Sequence, residues 1–218
     1  MLTLHEYTPS QNAWKVRVLL GLLGIPYRSQ PVAIFGGESR SPEFLGKNPV
    51  GAIPVLELED GRAIAESNAI LCWLAEGTRF MPAADSRAPN SPDGRYARAK
   101  VMQWLFFEQY YVEPVIGSLR FWTLTGRLEV NAALVPGKRD AAIRALAALE
   151  RALAKTLFLA GTEFTIADIA NYAYAHLAGD CAFPLAGFPS IARWADRVAG
   201  IIGPGYPVVT YGPEAQPS

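Results

Sequence analysis

The spacing of apolar positions changes once along the chain. Up to about residue 76, short apolar runs alternate with helical patterns. Leu2 to Tyr7 reads as a strand. Val16, Leu19, Leu20 and Leu23 then share one helical face. Asn12 is placed to cap that helix, Gly24 to stop it, and Pro26 follows closely. Tyr27 to Ile34 predicts a second strand, parallel to the first through a right-handed crossover. Ser41-Pro42-Glu43-Phe44-Leu45 predicts a short helix with Ser41 as its cap and Pro42 in the first turn. Val55 to Glu59, the Asp60-Gly61 turn and Arg62 to Ala65 predict a hairpin. Ser67 to Glu76 closes the region as a helix, giving the order β-α-β, α, β-β-α.

Between Gly77 and Gly94 prolines, serines and small residues predict a linker, and beyond it the strand signals vanish. Arg95 to Trp122 predicts one long helical stretch, apolar on more than one face, with Pro114 bending it. Lys138 to Leu157 carries Ile143, Leu146, Leu149, Leu153 and Leu157 at helical spacing. Thr165-Ile166-Ala167-Asp168 forms a capping box, a device that stabilises a helix by about 1 kcal/mol. Pro189 to Ile201 predicts a last helix, followed by a proline-rich tail. The predicted fold is therefore an α+β domain (1–78), a linker (79–94), an all-helical bundle domain (95–203) and an extended tail (204–218).

Composition narrows the function. The chain has 218 residues, half of them hydrophobic, enough for a substantial core. The formal net charge is zero, so no basic face predicts a nucleic-acid partner. The start lacks a basic, apolar leader, and no apolar run approaches the roughly twenty residues that span a bilayer, so no membrane partner is expected. Cys72 and Cys181 lie far apart and form no CxxC pair, which fits a reducing compartment. A cytoplasmic location without a bound metal is expected.

Two short runs carry the candidate chemistry. Asn48-Pro49-Val50-Gly51-Ala52-Ile53-Pro54-Val55-Leu56 sets a proline at the mouth of an apolar strand, where a backbone edge can meet a peptide. Glu66-Ser67-Asn68-Ala69-Ile70 opens a helix with an acid and a hydroxyl, a setting for an amino-acid head group. Together they predict a grip on a small peptide that carries both charges. With the Ser10 to Val16 turn, the Arg40 to Phe44 run and the capped Thr165–Asp168 helix, they make the chain resemble the cytosolic glutathione transferase superfamily over nearly its whole length.

The resemblance implies a thioredoxin-like first domain, glutathione as co-substrate and a homodimer. It implies that Pro54 is cis and that Ile53 pairs with the cysteinyl unit of glutathione. Glu66 would pair with the α-ammonium and Ser67 would hold the γ-glutamyl carboxylate. Ser10 holds the family's serine position, and Asn12 matches the amide donor of the nu-class and fungal nitrogen-regulator-like branches. Both would favour the thiolate, with Tyr7 and then Thr8 as lower-ranked rivals. Ser39 and Arg40 align with the pair that reaches the glycyl carboxylate, Ser39 departing from the usual histidine. Ala52 replaces a polar residue of the family, for which Lys47 offers a weak substitute. Phe107, Tyr110, Tyr111, Arg120 and Phe121 are candidates for the acceptor pocket. His5 and His176 read as structural, and Cys72 as a small core residue. The expected activity is attack of the glutathione thiolate on a small electrophile, or reduction of a small disulfide or peroxide. The alternative is a non-catalytic regulator or scaffold of the same fold. A maleylacetoacetate-type isomerase would need a serine-cysteine run in the first turn, which is missing.

Overall fold

The computed structural model describes residues 1–82 and 92–216. Most of the predicted linker, 83–91, lies outside the described residues. The chain divides into two compact units: Met1–Ala75 with Pro204–Ala215, and Glu76–Gly203 with Gln216–Ser218.

In the first unit the order is β1 (Leu2–Glu6), α1 (Gln11–Leu22), β2 (Tyr27–Pro31), α2 (Pro42–Lys47), β3 (Val55–Glu57), β4 (Ala63–Ala65) and α3 (Ser67–Ala75). The four strands form one sheet in the order β2-β1-β3-β4, with β1 and β2 parallel and the other pairs antiparallel. Register sorts the side chains by face. Leu4, Leu56 and Ile64 are cross-strand partners, so they share a face. Leu4 and Leu56 are buried, as are Val16, Leu19 and Leu20 of α1 and Ile70 and Leu71 of α3. Each such side chain contributes about 1.5–3 kcal/mol on burial. Val55, Ala63 and Ala65 look the other way, into a smaller cluster with Val32 and with Phe44 of α2.

Several boundaries differ from expectation. Ser10, not Asn12, caps α1: its backbone is extended, and its Oγ accepts the Ala13 N–H at 3.3 Å. β2 stops at Pro31 because Ile34–Gly36 turns away in a short 3₁₀ helix. His5 is structural as predicted. Its Nε2 meets Glu57 Oε2 at 2.7 Å, and Lys47 Nζ donates to the same oxygen at 2.9 Å. Lys47 and His5 together hold the Glu57 carboxyl below its usual range. Lys47 is thereby paired with Glu57. Cys72 is half-buried rather than a core residue.

The tail folds back onto the first unit. Trp14 Nε1 donates to the Tyr206 carbonyl at 2.9 Å. The Tyr206 ring occupies the space above Gly21, where an added Cβ would lie 1.5 Å from the phenol oxygen. Tyr211 stacks on Tyr7 at 6.4 Å between ring centroids.

In the second unit α4 (Pro92–Phe107) runs into a ten-residue π-helical segment, Glu108–Gly117, and on into α5 (Ser118–Leu124). The expected bend at Pro114 is realised as this change of ladder. Proline has no N–H and crowds the preceding turn, and a wider turn relieves both. The Pro114 carbonyl accepts Ser118 Oγ at 2.8 Å and Lys138 Nζ at 2.5 Å. α6 (Val135–Leu153) buries Ala142, Ala145, Leu146, Leu149 and Leu153. The predicted face was shifted: Ile143 is 49% and Leu157 is 52% exposed, and Leu157 lies beyond the helix. α7 (Ile166–Ala175) carries the predicted capping box and is buried at every residue. α8 (Pro189–Ile202) completes the unit, with Trp194 Nε1 donating to Asp168 Oδ1 at 2.9 Å.

Candidate functional site

The candidate site lies where the starts of α1 and α3 meet. The Ser10 amide donates to the Tyr7 carbonyl at 2.8 Å, which turns the chain from β1 into α1. Ser10 is half-buried. Its oxygen accepts the Ala13 amide, so its own proton remains for donation. Asn12 sits in the first turn of α1, also half-buried. Its Oδ1 accepts Lys15 Nζ at 2.8 Å and the Ser67 hydroxyl at 3.3 Å. Lys15 Nζ also donates to Ser67 Oγ at 3.4 Å. Lys15 is fully buried and Ser67 nearly so. The start of α1 is thus joined through Asn12 and Lys15 to the head of α3.

Glu66 stands just before that head, exposed, with its carbonyl accepting the Ile70 amide at 3.0 Å. Its φ of 67° places a non-glycine residue in the left-handed region. That conformation costs of order 1 kcal/mol, and such strain concentrates where a side chain must be aimed. No residue type in the sequence announces it. Ser67 begins α3 and is tied to α1. Its hydroxyl already serves Lys15 and Asn12, at the N-terminus of α3.

The loop before β3 supplies the second wall. Ile53–Pro54 is cis. Among the described residues the Ile53 amide and carbonyl make no hydrogen bond, which leaves one backbone edge open. Asn48, a residue to which sequence reasoning gave no role, braces this loop. Its Nδ2 donates to the Ala52 carbonyl at 2.8 Å and its Oδ1 accepts the Val50 amide at 3.1 Å. Gly51 is required, for its φ is 66° and an added Cβ would lie 2.6 Å from the Ser39 carbonyl. Arg40 Nη1 donates to the Val50 carbonyl at 2.6 Å while the residue stays exposed. Ser39 is buried, so of this predicted pair Arg40 alone faces solvent.

Of the rival donors, Tyr7 is otherwise engaged. The Tyr7 hydroxyl donates to Glu214 Oε1 at 2.6 Å. Burial, then this bond to a carboxylate, pushes its pKa well above the usual phenol value. The Thr8 side chain is exposed, and its carbonyl accepts Arg17 Nη2 at 2.9 Å. Burial pushes the Cys181 thiol up to about 11, and Cys72 lies within α3.

In the second unit Phe107, Tyr110 and Tyr111 line two adjoining hollows of about 850 and 630 Å³, together with Ala148. Trp104 closes one and Arg144 borders the other. Arg120 is not among them. It is buried and its Nε donates to Asp180 Oδ2 at 2.8 Å, so its charge is paired within the second unit. Phe121 packs under the Arg127 guanidinium, 5.1 Å from the ring centre. His176 is structural: it stacks on Tyr172 at 3.9 Å, and burial pushes its imidazole down to about 4.

Residues 9–76 match the model of the glutathione S-transferase N-terminal domain, and residues 132–197 that of the C-terminal domain. The chain is similar to glutathione S-transferase 3 of Zea mays, 30% identical over 210 residues, covering 91% of this chain and 89% of that protein. It is also similar to elongation factor 1-gamma of Danio rerio, 31% identical over 170 residues. That match covers 77% of this chain but only 36% of the relative, so the chain spans about a third of that protein's length. Among solved structures it is similar to a glutathione S-transferase from Pseudomonas fluorescens, at 40% identity and a TM-score of 0.85, covering 95% of this chain and 98% of that one.

Proposed function

This chain belongs to the glutathione S-transferase family, and on that premise we propose that it binds glutathione on its first unit and holds the thiol as thiolate with Ser10 and Asn12. The carrying observation is the direct bond from the Ser67 hydroxyl to Asn12 Oδ1. It brings the proposed sulfur donors and the proposed γ-glutamyl seat into one patch. The α-ammonium would pair with Glu66, the γ-glutamyl carboxylate would meet the amides at the head of α3, the cysteinyl unit would pair with the open edge of Ile53, and the glycyl carboxylate would meet Arg40.

The energetics are within reach of these groups. A free thiol has a pKa of about 8.5, so only a few per cent ionises at neutral pH. Lowering it by ~2 units takes about 2.7 kcal/mol of preference for the anion. The Ser10 hydroxyl and the Asn12 amide as hydrogen-bond donors, placed at a helix N-terminus, supply stabilisation of that order. The thiol proton goes to solvent. The sulfur lone pair then forms a C–S bond on an electrophilic carbon as its leaving group departs. Alternatively it attacks a small disulfide, forming a mixed disulfide and releasing a thiolate. We read the working protein as a cytoplasmic homodimer.

The similarity to elongation factor 1-gamma favours a second reading, a protein of this fold that does no transferase work. One titration separates the two: the ultraviolet absorbance of bound glutathione thiolate against pH, for wild type, Ser10→Ala and Asn12→Ala. The transferase reading expects a depressed thiol pKa that each substitution raises by about one unit, a tenfold fall in the thiolate-to-thiol ratio. A bound tripeptide with the pKa of free thiol, unchanged in both variants, would favour the second reading. Turnover with an aryl halide, a hydroperoxide and 2-hydroxyethyl disulfide identifies the acceptor class.

A further inference from the structure

We infer that Lys15 is a positioning residue that sets the polarity of the Asn12 side chain, so that its NH₂ group, not its oxygen, faces the ligand side of α1. The inference rests on the proposed thiolate site for its functional meaning, but its structural content stands apart from any ligand.

An asparagine amide has two ends of nearly equal shape and opposite polarity. Ser67 does not choose between them, because a hydroxyl both donates and accepts. If the amide turned over, Ser67 Oγ would accept from Nδ2 as readily as it now donates to Oδ1. Lys15 does choose. An ammonium donates only, and Nζ lies 2.8 Å from Asn12 Oδ1. An amide turned over would set NH₂ against NH₃⁺ inside the protein, since Lys15 is fully buried. The two donors would repel, and the ammonium would lose an acceptor in a place that water does not reach.

The consequence falls on the other end of the amide. With Oδ1 accepting from both Lys15 and Ser67, Nδ2 is directed away from this network. Among the described residues Asn12 Nδ2 donates to nothing, and the residue is half-exposed. Two N–H groups are therefore offered where the proposed sulfur would sit. Lys15 touches no ligand in this scheme. It acts through Asn12, and through Ser67, whose hydroxyl it also engages at 3.4 Å.

The first test needs no ligand. The side-chain amide protons of Asn12, assigned by their loss in Asn12→Ala, are expected to show no nuclear Overhauser contact to the Ser67 methylene. Lys15→Met should add a turned-over population in which that contact appears, while Lys15→Arg, with a donor-only head, should keep the wild-type pattern. A Ser67 contact of comparable strength in the wild type would overturn the inference, and that result is available even if Lys15→Met does not fold. The second test uses bound glutathione. Lys15→Met should raise the thiol pKa by about one unit, which cuts the thiolate-to-thiol ratio about tenfold. In an Asn12→Ala background the same substitution should change it less than twofold. Full additivity would mean that Lys15 acts by its charge alone, and would also overturn the inference. An oriented wild-type amide with an unshifted glutathione thiol leaves the Lys15 assignment standing and removes the thiolate reading.

Discussion

α1 and α7 open with the same kind of chemistry and use it in opposite directions. At α7 the Thr165 hydroxyl accepts the Ala167 amide at 3.3 Å, and Asp168 reaches back to the Thr165 amide at 3.0 Å. The second Asp168 oxygen takes the Leu159 amide and the Trp194 indole, each at 2.9 Å. Thr165 and Asp168 are both buried, so every polar atom is answered from within the unit. At α1 the Ser10 hydroxyl accepts an amide in the same way, but the first turn holds no acid to close the box. Asn12 turns sideways to Lys15 and Ser67, and Ser10 and Asn12 both stay half-exposed. A cap closed on itself serves stability. A cap left with outward donors is fit to hold an anion.

The sharpest way to break this contrast is Asp168→Ala. It orphans four buried donors at once, the Leu159 and Thr165 amides, the Thr165 hydroxyl and the Trp194 indole, and should destabilise the protein by about 3–5 kcal/mol in urea unfolding. The pKa of bound glutathione in the remaining folded fraction should not move. A shifted thiol pKa would show that the α7 cap serves the site as well as the fold.

The far end of α7 gives the next largest effect. His176 is its C-cap, packed flat on Tyr172, and burial holds its imidazole at about 4 against an ordinary 6.5. Arg120 lowers it further, and Asp180 works against that. A depressed folded-state value means that the unfolded chain binds the proton first. Stability is therefore complete above pH 6.5 and is lost as pH falls towards 4, by about 3 kcal/mol over that window. Urea midpoints measured across it should flatten in His176→Gln. If the wild type shows no slope between pH 6.5 and 4, His176 is not buried as described.

Ser10→Ala should separate the two duties of the α1 cap. Loss of the cap costs about 1 kcal/mol of stability. The thiol of bound glutathione should rise by about one unit, which on a fixed substrate appears as an about threefold fall in kcat/KM at neutral pH that is recovered at alkaline pH. A fall that alkaline pH does not restore would move Ser10 from thiolate stabilisation to simple binding.

The sequence made some of this visible and hid the rest, for physical reasons. The strand-helix order, the Thr165–Asp168 box and the hairpin rest on contacts a few residues apart, and local patterns carry them. Ser10 and Asn12 are both good caps two positions apart, and only the extended backbone at Ser10 decides between them. Ile143 fits the helical spacing of α6, but the buried stripe follows Ala142 and Ala145, where small residues admit neighbours. Arg120 sits among pocket-like aromatics, yet its partner Asp180 is distant in sequence. Glu66 adopts a left-handed backbone with no glycine to signal it, and Lys15 reads as an ordinary helix lysine until Ser67 is brought beside it. The pattern along a chain reports which elements form. It does not report which polar ends are left over once those elements pack.

The smallest effect tests whether a hydroxyl cap alone makes a site. Ser41 caps α2 as Ser10 caps α1, with Oγ accepting the Phe44 amide at 3.2 Å. Pro42 follows it, so one of the free amides at that helix start does not exist. The helix is only six residues long, which leaves little dipole for an anion to feel. Ser41→Ala should therefore cost about 1 kcal/mol in urea unfolding, as Ser10→Ala does, and leave the thiol pKa of bound glutathione within experimental error of wild type. Equal stability losses with unequal thiol shifts would tie the chemistry to Asn12 and the open donors around it. A thiol shift in Ser41→Ala matching that of Ser10→Ala would mean that the pKa follows the integrity of the first unit, and the distinction between a closed and an open cap would fall.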